Sequence, residues 1–352
     1  MKIKKRLTAA ALAVLLAVTA LPAAVMAEEK DDKKQLTKVT LNEVAHSIFY
    51  APQYVAIEKG YFADQGLEVE LVTGFGADKV LTALISGEAD IGFMGAEASI
   101  YAYQEGATDP AVNFAQLTQR AGNFLVAREE MPDFQWSDLK GKKVLGGQAL
   151  YMTQIYMDMV ATGGMPEMVF EYILKQNGLD PQKDLSIDQS IDFGSTAAAF
   201  AGDDSADFTV EFEPSATALE KEGTGHVVAS LGVESGYVPY TSYSAKTSYL
   251  KEYPDVIQKF TNGLQMGMEF VREHTPEEIA QVIAPQFPET DMETLTTIVK
   301  RYHEQDTWKE NLIFEKESFE LLQDILEDAG ELSRRMPYEK LVTVEYAEKA
   351  AE

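Results

Sequence analysis

Residues 67–94 read LEVELVTGFGADKVLTALISGEADIGFM, and this stretch decides the fold class. Val69 and Leu71 alternate with polar neighbours, the period-2 pattern of a half-buried strand. The loop Gly74-Phe75-Gly76-Ala77-Asp78 follows, and then Val80, Leu81, Leu84 and Ile85 fall on one face of a helix that Gly87 closes. Asp90-Ile91-Gly92-Phe93-Met94 reads as a short buried strand. Strand, helix and strand at this spacing form a right-handed βαβ unit of a parallel sheet. Upstream, Val39, Leu41 and Val44 predict another strand and residues 51–59 (APQYVAIEK) a helix ended by Gly60, so the first lobe is α/β.

Downstream, the segment Glu129-Glu130-Met131-Pro132-Asp133 turns polar and Ser137-Asp138-Leu139-Lys140-Gly141 predicts a one-turn helix, which places a boundary there. Lys143-Val144-Leu145 starts a new strand. Residues 166–176 predict a helix with Pro166 at its first position, Glu167 in its first turn, Lys175 in its last and Gly178 past its end. Strands over 185–193, 207–212 and 227–230 and a helix over 215–222 complete a second α/β lobe. From Tyr237 the chain is mostly helical: Pro254-Asp255 opens one long helix and Thr275-Pro276-Glu277-Glu278 is a capping box. These helices have no sheet of their own and are expected to return to the first lobe. The expected organisation is therefore lobe 1 from residues 38–128 and 237–352, lobe 2 from 129–236, and two crossings, near 128 and 236, that form a hinge over a cleft. A length of 352 residues agrees, because single cores stop growing near roughly 250 to 300.

The N-terminus carries Lys2, Lys4, Lys5 and Arg6, an apolar run from Leu7 to Val25, and Val25-Met26-Ala27 before Glu28-Glu29. That is the pattern of a secretory signal peptide over 1–27, with a membrane anchor as the alternative. Residues 28–37, with Lys30-Asp31-Asp32-Lys33-Lys34, are expected to be a flexible leader. The expected product is secreted or periplasmic. With 30 basic against 57 acidic residues the formal net charge is -27, which repels nucleic acid and anionic lipid surfaces. The absence of cysteine excludes disulfides, thiolate metal sites, thiol nucleophiles and an acylated lipoprotein N-terminus.

Enzyme motifs fail on inspection. No GxSxG elbow occurs, Trp136 stands where a phosphate loop ending at Gly141-Lys142 needs glycine, and His303-Glu304 is followed by Thr307 instead of a second histidine. Gly74 and Gly76 begin a GxG, but Lys79 replaces the third glycine of a dinucleotide fingerprint. Asp203, Ser205 and Asp207 open like a calcium loop, yet Phe208 and Pro214 occupy the turn-glycine and bidentate-glutamate positions. No cofactor, metal or catalytic residue is expected.

The segments Ala51-Pro52-Gln53-Tyr54-Val55-Ala56-Ile57-Glu58-Lys59-Gly60-Tyr61-Phe62, Gly66-Leu67-Glu68-Val69-Glu70, Ser86-Gly87-Glu88-Ala89-Asp90-Ile91-Gly92, Gly163-Gly164-Met165-Pro166-Glu167-Met168 and Phe212-Glu213-Pro214 resemble the SsuA/THI5-like (NMT1/THI5-like) family over about residues 38–345. These are substrate-binding components of ABC importers for nitrate, sulfonates, taurine and thiamine precursors. The resemblance implies the type II periplasmic binding protein fold, closure of two lobes on a small molecule, and docking to a membrane permease driven by a separate ATPase. Two features depart from the pattern. A segment rich in Met and Tyr (Tyr151, Met152, Tyr156, Met157, Met159) separates Gly146-Gly147-Gln148 from Gly163 and either prolongs a helix or rims the cleft. Fungal pyrimidine synthases of the superfamily use a histidine and a cysteine-rich motif; here Tyr50, not His46, takes the histidine's place and no cysteine exists, so that enzymatic activity is not expected.

Candidate ligand contacts follow from strand ends and helix starts. His46, Ser47, Phe49 and Tyr50 follow the first strand and either face the cleft, where an aromatic can stack on a flat ligand, or pack on lobe 1. Gly76, Ala77 and Asp78 begin a helix with free N–H groups, with Asp78 favoured as an N-cap. Gly95, Ala96 and Glu97 open the next helix, Glu97 either touching ligand or complementing the helix dipole. Gly163 and Gly164 form either an N–H nest or a tight turn. Glu213 is favoured as an acceptor for an amino-heterocycle. Arg120 is the only early cation for an anionic group. The acidic and aromatic set favours a neutral or cationic heteroaromatic such as a thiamine-pyrimidine precursor, with an alkanesulfonate, taurine or nitrate as the alternative, and a secreted enzyme on the same scaffold as a further one. A monomer is expected.

Overall fold

The structure, a computed structural model, describes residues 36–146, 164–191 and 193–352. The expected signal peptide, most of the leader, Gly163 and the Met/Tyr-rich segment lie outside the described residues.

Among the described residues ten strands form two sheets. They are β1 (Thr37–Glu43), β2 (Leu67–Thr73), β3 (Ile91–Met94), β4 (Ala111–Thr118), β5 (Asn123–Ala127), β6 (Lys143–Leu145), β7 (Ser186–Asp188), β8 (Phe208–Phe212), β9 (His226–Ser230) and β10 (Thr241–Lys246). The first sheet has the order β2-β1-β3-β10-β4 and the second β7-β6-β8-β5-β9. β1 is parallel to β2 and β3, while β10 runs antiparallel between β3 and β4. In the second sheet β6 is parallel to β7 and β8, and β5 is antiparallel to β8 and β9. The βαβ reading of residues 67–94 corresponds to β2, a helix over Ala77–Ser86 and β3.

Three expectations need correction. The polar segment at 129–133 is not where the chain changes sheet, because β5 already belongs to the second; the change falls between Thr118 and Asn123. All five residues of β5 are buried between two partner strands, so a change in composition marks the end of that strand and not its sheet. The strand expected over 185–193 stops at Asp188, whose carboxylate accepts the Ser190 N–H at 3.0 Å and hydroxyl at 2.6 Å in a local turn. The helix expected from Pro166 begins two residues earlier, at Gly164.

The long C-terminal helix spans Pro254–Glu273 and lies against Ala51–Glu58 at close range: a Cβ at Gly267 would stand 2.3 Å from the Pro52 carbonyl oxygen. The capping box forms as read, with Thr275 Oγ1 accepting the Glu278 N–H at 3.3 Å and Glu278 accepting the Thr275 N–H at 2.9 Å. The later helices do not confine themselves to the first sheet. Arg301 on helix Met292–Glu304 pairs with Glu213 and Glu220, and Lys175 Nζ, on helix Gly164–Gln176, meets Asp328, the last residue of helix Lys316–Asp328, at 2.9 Å. The core of the first sheet stacks Tyr243 on Phe93 at 4.2 Å, with Phe260 of the long helix edge-on at 5.4 Å. Among the described residues no helix is long and apolar enough to cross a membrane.

Candidate functional site

In each sheet the parallel strands are followed by helices, so strand carboxyl ends and helix amino ends gather along one edge, where open α/β sheets bind ligands. The first edge carries the ends of β1, β2 and β3 and the second those of β6, β7 and β8. Two crossings join the sheets, at 119–122 and 231–240. The crossings are bound to each other. Arg120 Nη1 donates to the Gly232 carbonyl at 3.0 Å and its guanidinium lies 4.3 Å from the Tyr237 ring centroid. Gln305 donates to the Ala121 carbonyl at 3.1 Å while its own carbonyl accepts the Ser230 hydroxyl at 2.7 Å. Arg120 is thereby occupied in the hinge rather than offered to an anionic group.

At the end of β1, the fully buried Glu43 accepts hydrogen bonds from Gln53 Nε2 and Tyr54 Oη, both at 2.8 Å, and from Thr73 Oγ1 at 3.1 Å. His46 Nδ1 lies 2.8 Å from the same carboxylate, which holds the imidazole above its ordinary range; burial opposes this. Its Nε2 lies 2.9 Å from the Gln286 carbonyl, and its ring packs against both Tyr54 and Phe287, which also touch each other. His46 thus fastens a C-terminal turn to the first lobe. Ser47 caps the next turn, its hydroxyl accepting the Phe49 N–H at 3.3 Å.

Phe49 and Tyr50 are buried. Phe49 packs between the lobes, with Tyr302 at 5.1 Å, Tyr240 at 5.8 Å and Phe212 at the end of β8 at 6.5 Å. Its carbonyl accepts Trp308 Nε1 at 2.9 Å. Tyr50 stands edge-on to Phe93 at 4.6 Å, its hydroxyl pushed upward by burial and then by Glu43 and Glu97.

Asp78 does not cap its helix. Gly76 is the N-cap and Asp78 lies in the first turn, its Oδ1 2.6 Å from where a Gly76 Cβ would be. The neighbouring Phe75 adopts φ 56° and remains 75% exposed, a left-handed backbone with a large apolar side chain in water. Gly95 and Ala96 lead into helix Glu97–Gln104, and the buried Glu97 carboxylate folds back over Gly95. Gly164, with φ 70°, opens its helix from the left-handed region, as a tight turn requires.

Glu213 contrasts with its expected role. Both carboxylate oxygens are engaged, Oε2 by the Thr217 N–H at 2.9 Å and Oε1 by the Thr217 hydroxyl at 3.0 Å and by Arg301. Placed just before the N-cap Pro214, it binds the Thr217 N–H in the first turn of helix Ser215–Glu222 and joins the lobes instead of presenting an acceptor to a ligand. Sequence reasoning missed Glu211, two residues earlier. Its carboxyl is buried near the end of β8, pushed up to about 7 by desolvation and eased by the hydroxyls of Thr209, at 2.6 Å, and Thr196. The available signal was an acid at the fourth position of the strand FTVEF. Sequence reasoning also missed the pair Asn123–Tyr240, in which the Tyr240 hydroxyl donates to Asn123 Oδ1 at 2.9 Å. The structure therefore brings Phe49 together with Tyr240 and Phe212, sets Tyr50 against Phe93, and turns His46, Ser47 and Glu213 to holding the scaffold. Among the described residues no group of three or more His, Asp or Glu is placed to hold a metal ion.

These rings and buried hydrogen-bonding groups lie where the strand ends of the two sheets meet. Comparisons with known proteins agree with the architecture. Residues 48–279 match the model of a family described as NMT1/THI5 like. YtlA of Bacillus subtilis (strain 168), whose description as a binding protein is itself provisional, is 44% identical over 317 residues, covering 90% of this chain and 91% of its own. A structure from Bordetella bronchiseptica RB50 superposes with a TM-score of 0.67 at 19% identity, covering 90% of this chain and 97% of its own. The periplasmic aliphatic sulphonate binding protein SsuA from Escherichia coli superposes at 0.66 and 17% identity over 87% of this chain and 97% of its own.

Proposed function

Because the chain belongs to the NMT1/THI5-like family, we propose that it is an extracytoplasmic solute-binding protein: it encloses a small molecule between its two lobes and delivers it, as a monomer, to an ABC permease powered by a separate ATPase. The observation that carries this reading is the pair of facing sheet edges joined by two crossings and lined by aromatic rings, a geometry for enclosing a solute. The N-terminal pattern of basic residues and an apolar run supports an export signal over residues 1–27.

The ligand favoured is an uncharged or cationic heteroaromatic such as a thiamine-pyrimidine precursor. Acids dominate the described strand ends, with Glu43, Glu97, Glu211 and Glu213 all buried, while Arg120 and Arg301 are engaged within the protein. A sulfonate or nitrate is the second reading, the sulfonate favoured by what SsuA is said to bind. The molecule is expected to leave unchanged, without catalysis. Native mass spectrometry of gently purified protein tests this: a co-purified small molecule, and thermal stabilisation that grows as RT ln(1 + [L]/Kd) on adding it back, are expected. Recovery of a chemically altered product would overturn the reading.

A further inference from the structure

Asn123 is the first residue of β5, directly after the crossing from the first sheet to the second, and it is completely buried. Its Oδ1 accepts the Tyr240 hydroxyl at 2.9 Å, and its Nδ2 has no hydrogen-bond partner among the described residues. Turning the amide over exchanges the two atoms and leaves one of them unmatched all the same. A buried polar group without a partner is unfavourable, and native proteins keep few of them. Among the described residues the side-chain amides of Asn42, Gln104, Gln116, Gln258 and Gln265 leave an oxygen unmatched, and Gln323, on helix Lys316–Asp328, leaves its nitrogen unmatched. Asn123 lies where the two lobes meet, opposite Phe212 in the β5–β8 register.

The surroundings of this amide restrict what can satisfy it. Tyr240, which holds it, has Phe49 edge-on at 5.8 Å and Phe212 at 6.4 Å. Gly122, the preceding residue, is so close to the Phe49 and Phe212 rings that a Cβ there would stand 2.9 to 3.0 Å from them. These rings pack against one another and against the Gly122 backbone, so the amide has apolar surroundings. Glu97 acts electrostatically on Tyr240, and a carboxylate so placed opposes a second negative charge.

We propose that the Asn123 side-chain amide, oriented by Tyr240, donates a hydrogen bond to a ring nitrogen or carbonyl of an uncharged planar ligand. The inference rests on the reading of the cleft as a solute site and adds to it a donor residue and a ligand class. Binding then satisfies in one step a donor that no described residue matches.

Calorimetric titration at pH 8 tests this with four probes on the intact protein. The probes are 4-amino-5-hydroxymethyl-2-methylpyrimidine, its carbocyclic counterpart 2-amino-4-methylbenzyl alcohol, taurine and nitrate. The pyrimidine is expected to bind at least about 10-fold tighter than each of the others. Asn123→Ala is expected to weaken it at least about 10-fold, and Tyr240→Phe, which keeps the ring but frees the amide, by about 3-fold or more. Thermal melts confirm folding of each variant, and Asn123→Ser replaces the alanine variant if that one does not fold. Pyrimidine affinity unchanged within about twofold in a folded Asn123 variant overturns the role of Asn123 and leaves the solute site standing. Tighter binding of taurine or nitrate, or a co-purified anionic molecule, overturns the ligand class. No heat from any probe, together with no co-purified molecule, overturns the solute site and the inference with it.

Discussion

Glu211 and Phe75 each break a local rule, one as a buried acid in an apolar strand and the other as an exposed aromatic in left-handed backbone. For Glu211 the consequence is a pH dependence of known sign. Its folded value of about 7 exceeds the ordinary 4.5, so the stability it contributes is complete below about 4.5 and is lost as pH rises through about 7. His46 is raised as well, and its contribution is complete below its ordinary value of 6.5 and is lost as pH rises through its raised folded value. Asp188 acts at the other end: the Ser190 hydroxyl and N–H and Lys143 hold it down to about 2, so its contribution is present above about 3.8 and is lost as pH falls through about 2. From these groups the melting temperature is expected to be highest near pH 4 to 5 and to decline toward pH 8. Glu211→Gln should flatten that decline and stand about 1 to 3 kcal/mol above the parent at pH 8; a variant that melts lower at pH 8 would show that ionised Glu211 is well compensated. Phe75→Gly suits φ 56° and removes exposed apolar surface, so calorimetry is expected to show a gain of about 0.5 to 1 kcal/mol in stability.

At the scale of elements, close approach and interlobe pairing set the arrangement of the C-terminal helices. Gly267 lets the long helix lie against helix Ala51–Glu58, and Gly267→Leu should cost about 1 to 3 kcal/mol in chemical denaturation by forcing the Pro52 carbonyl and the helix apart. The capping box is exposed, so Thr275→Ala should cost only about 1 kcal/mol. Glu213→Ala leaves Arg301 facing Glu220 alone across the lobes and removes the acceptor of the Thr217 N–H in helix Ser215–Glu222; a loss of about 3 to 5 kcal/mol is expected, with Arg301→Ala similar and the double variant less than additive. Additive losses would mean that the two residues act on separate contacts. Local pattern announced the capping box, whose two residues are three apart, but it suggested a ligand role for Glu213, whose cationic partner lies 88 positions away.

For the molecule as a whole, the crossings decide how the lobes can move. Arg120 and Gln305 bind one crossing to the other, and Arg120→Ala removes two backbone acceptors' donor and the contact over Tyr237. Small-angle scattering of that variant without ligand is expected to show a larger radius of gyration than the parent, with ligand affinity about 3 to 10-fold weaker; identical scattering would mean that the hinge is held by other contacts. The α/β class, the βαβ order over residues 37–94 and the absence of the tested enzyme motifs were legible in the chain itself, because they depend on residue type and on periodicity within about a dozen positions. The sheet to which β5 belongs, the engagement of Glu213 and Arg120 within the scaffold, and the meeting of Asn123 with Tyr240 117 positions later were settled only by the tertiary structure. A strand buried on both sides reads alike in either sheet, and a polar side chain carries no local sign of which distant partner it will meet, so only packing selects between the alternatives.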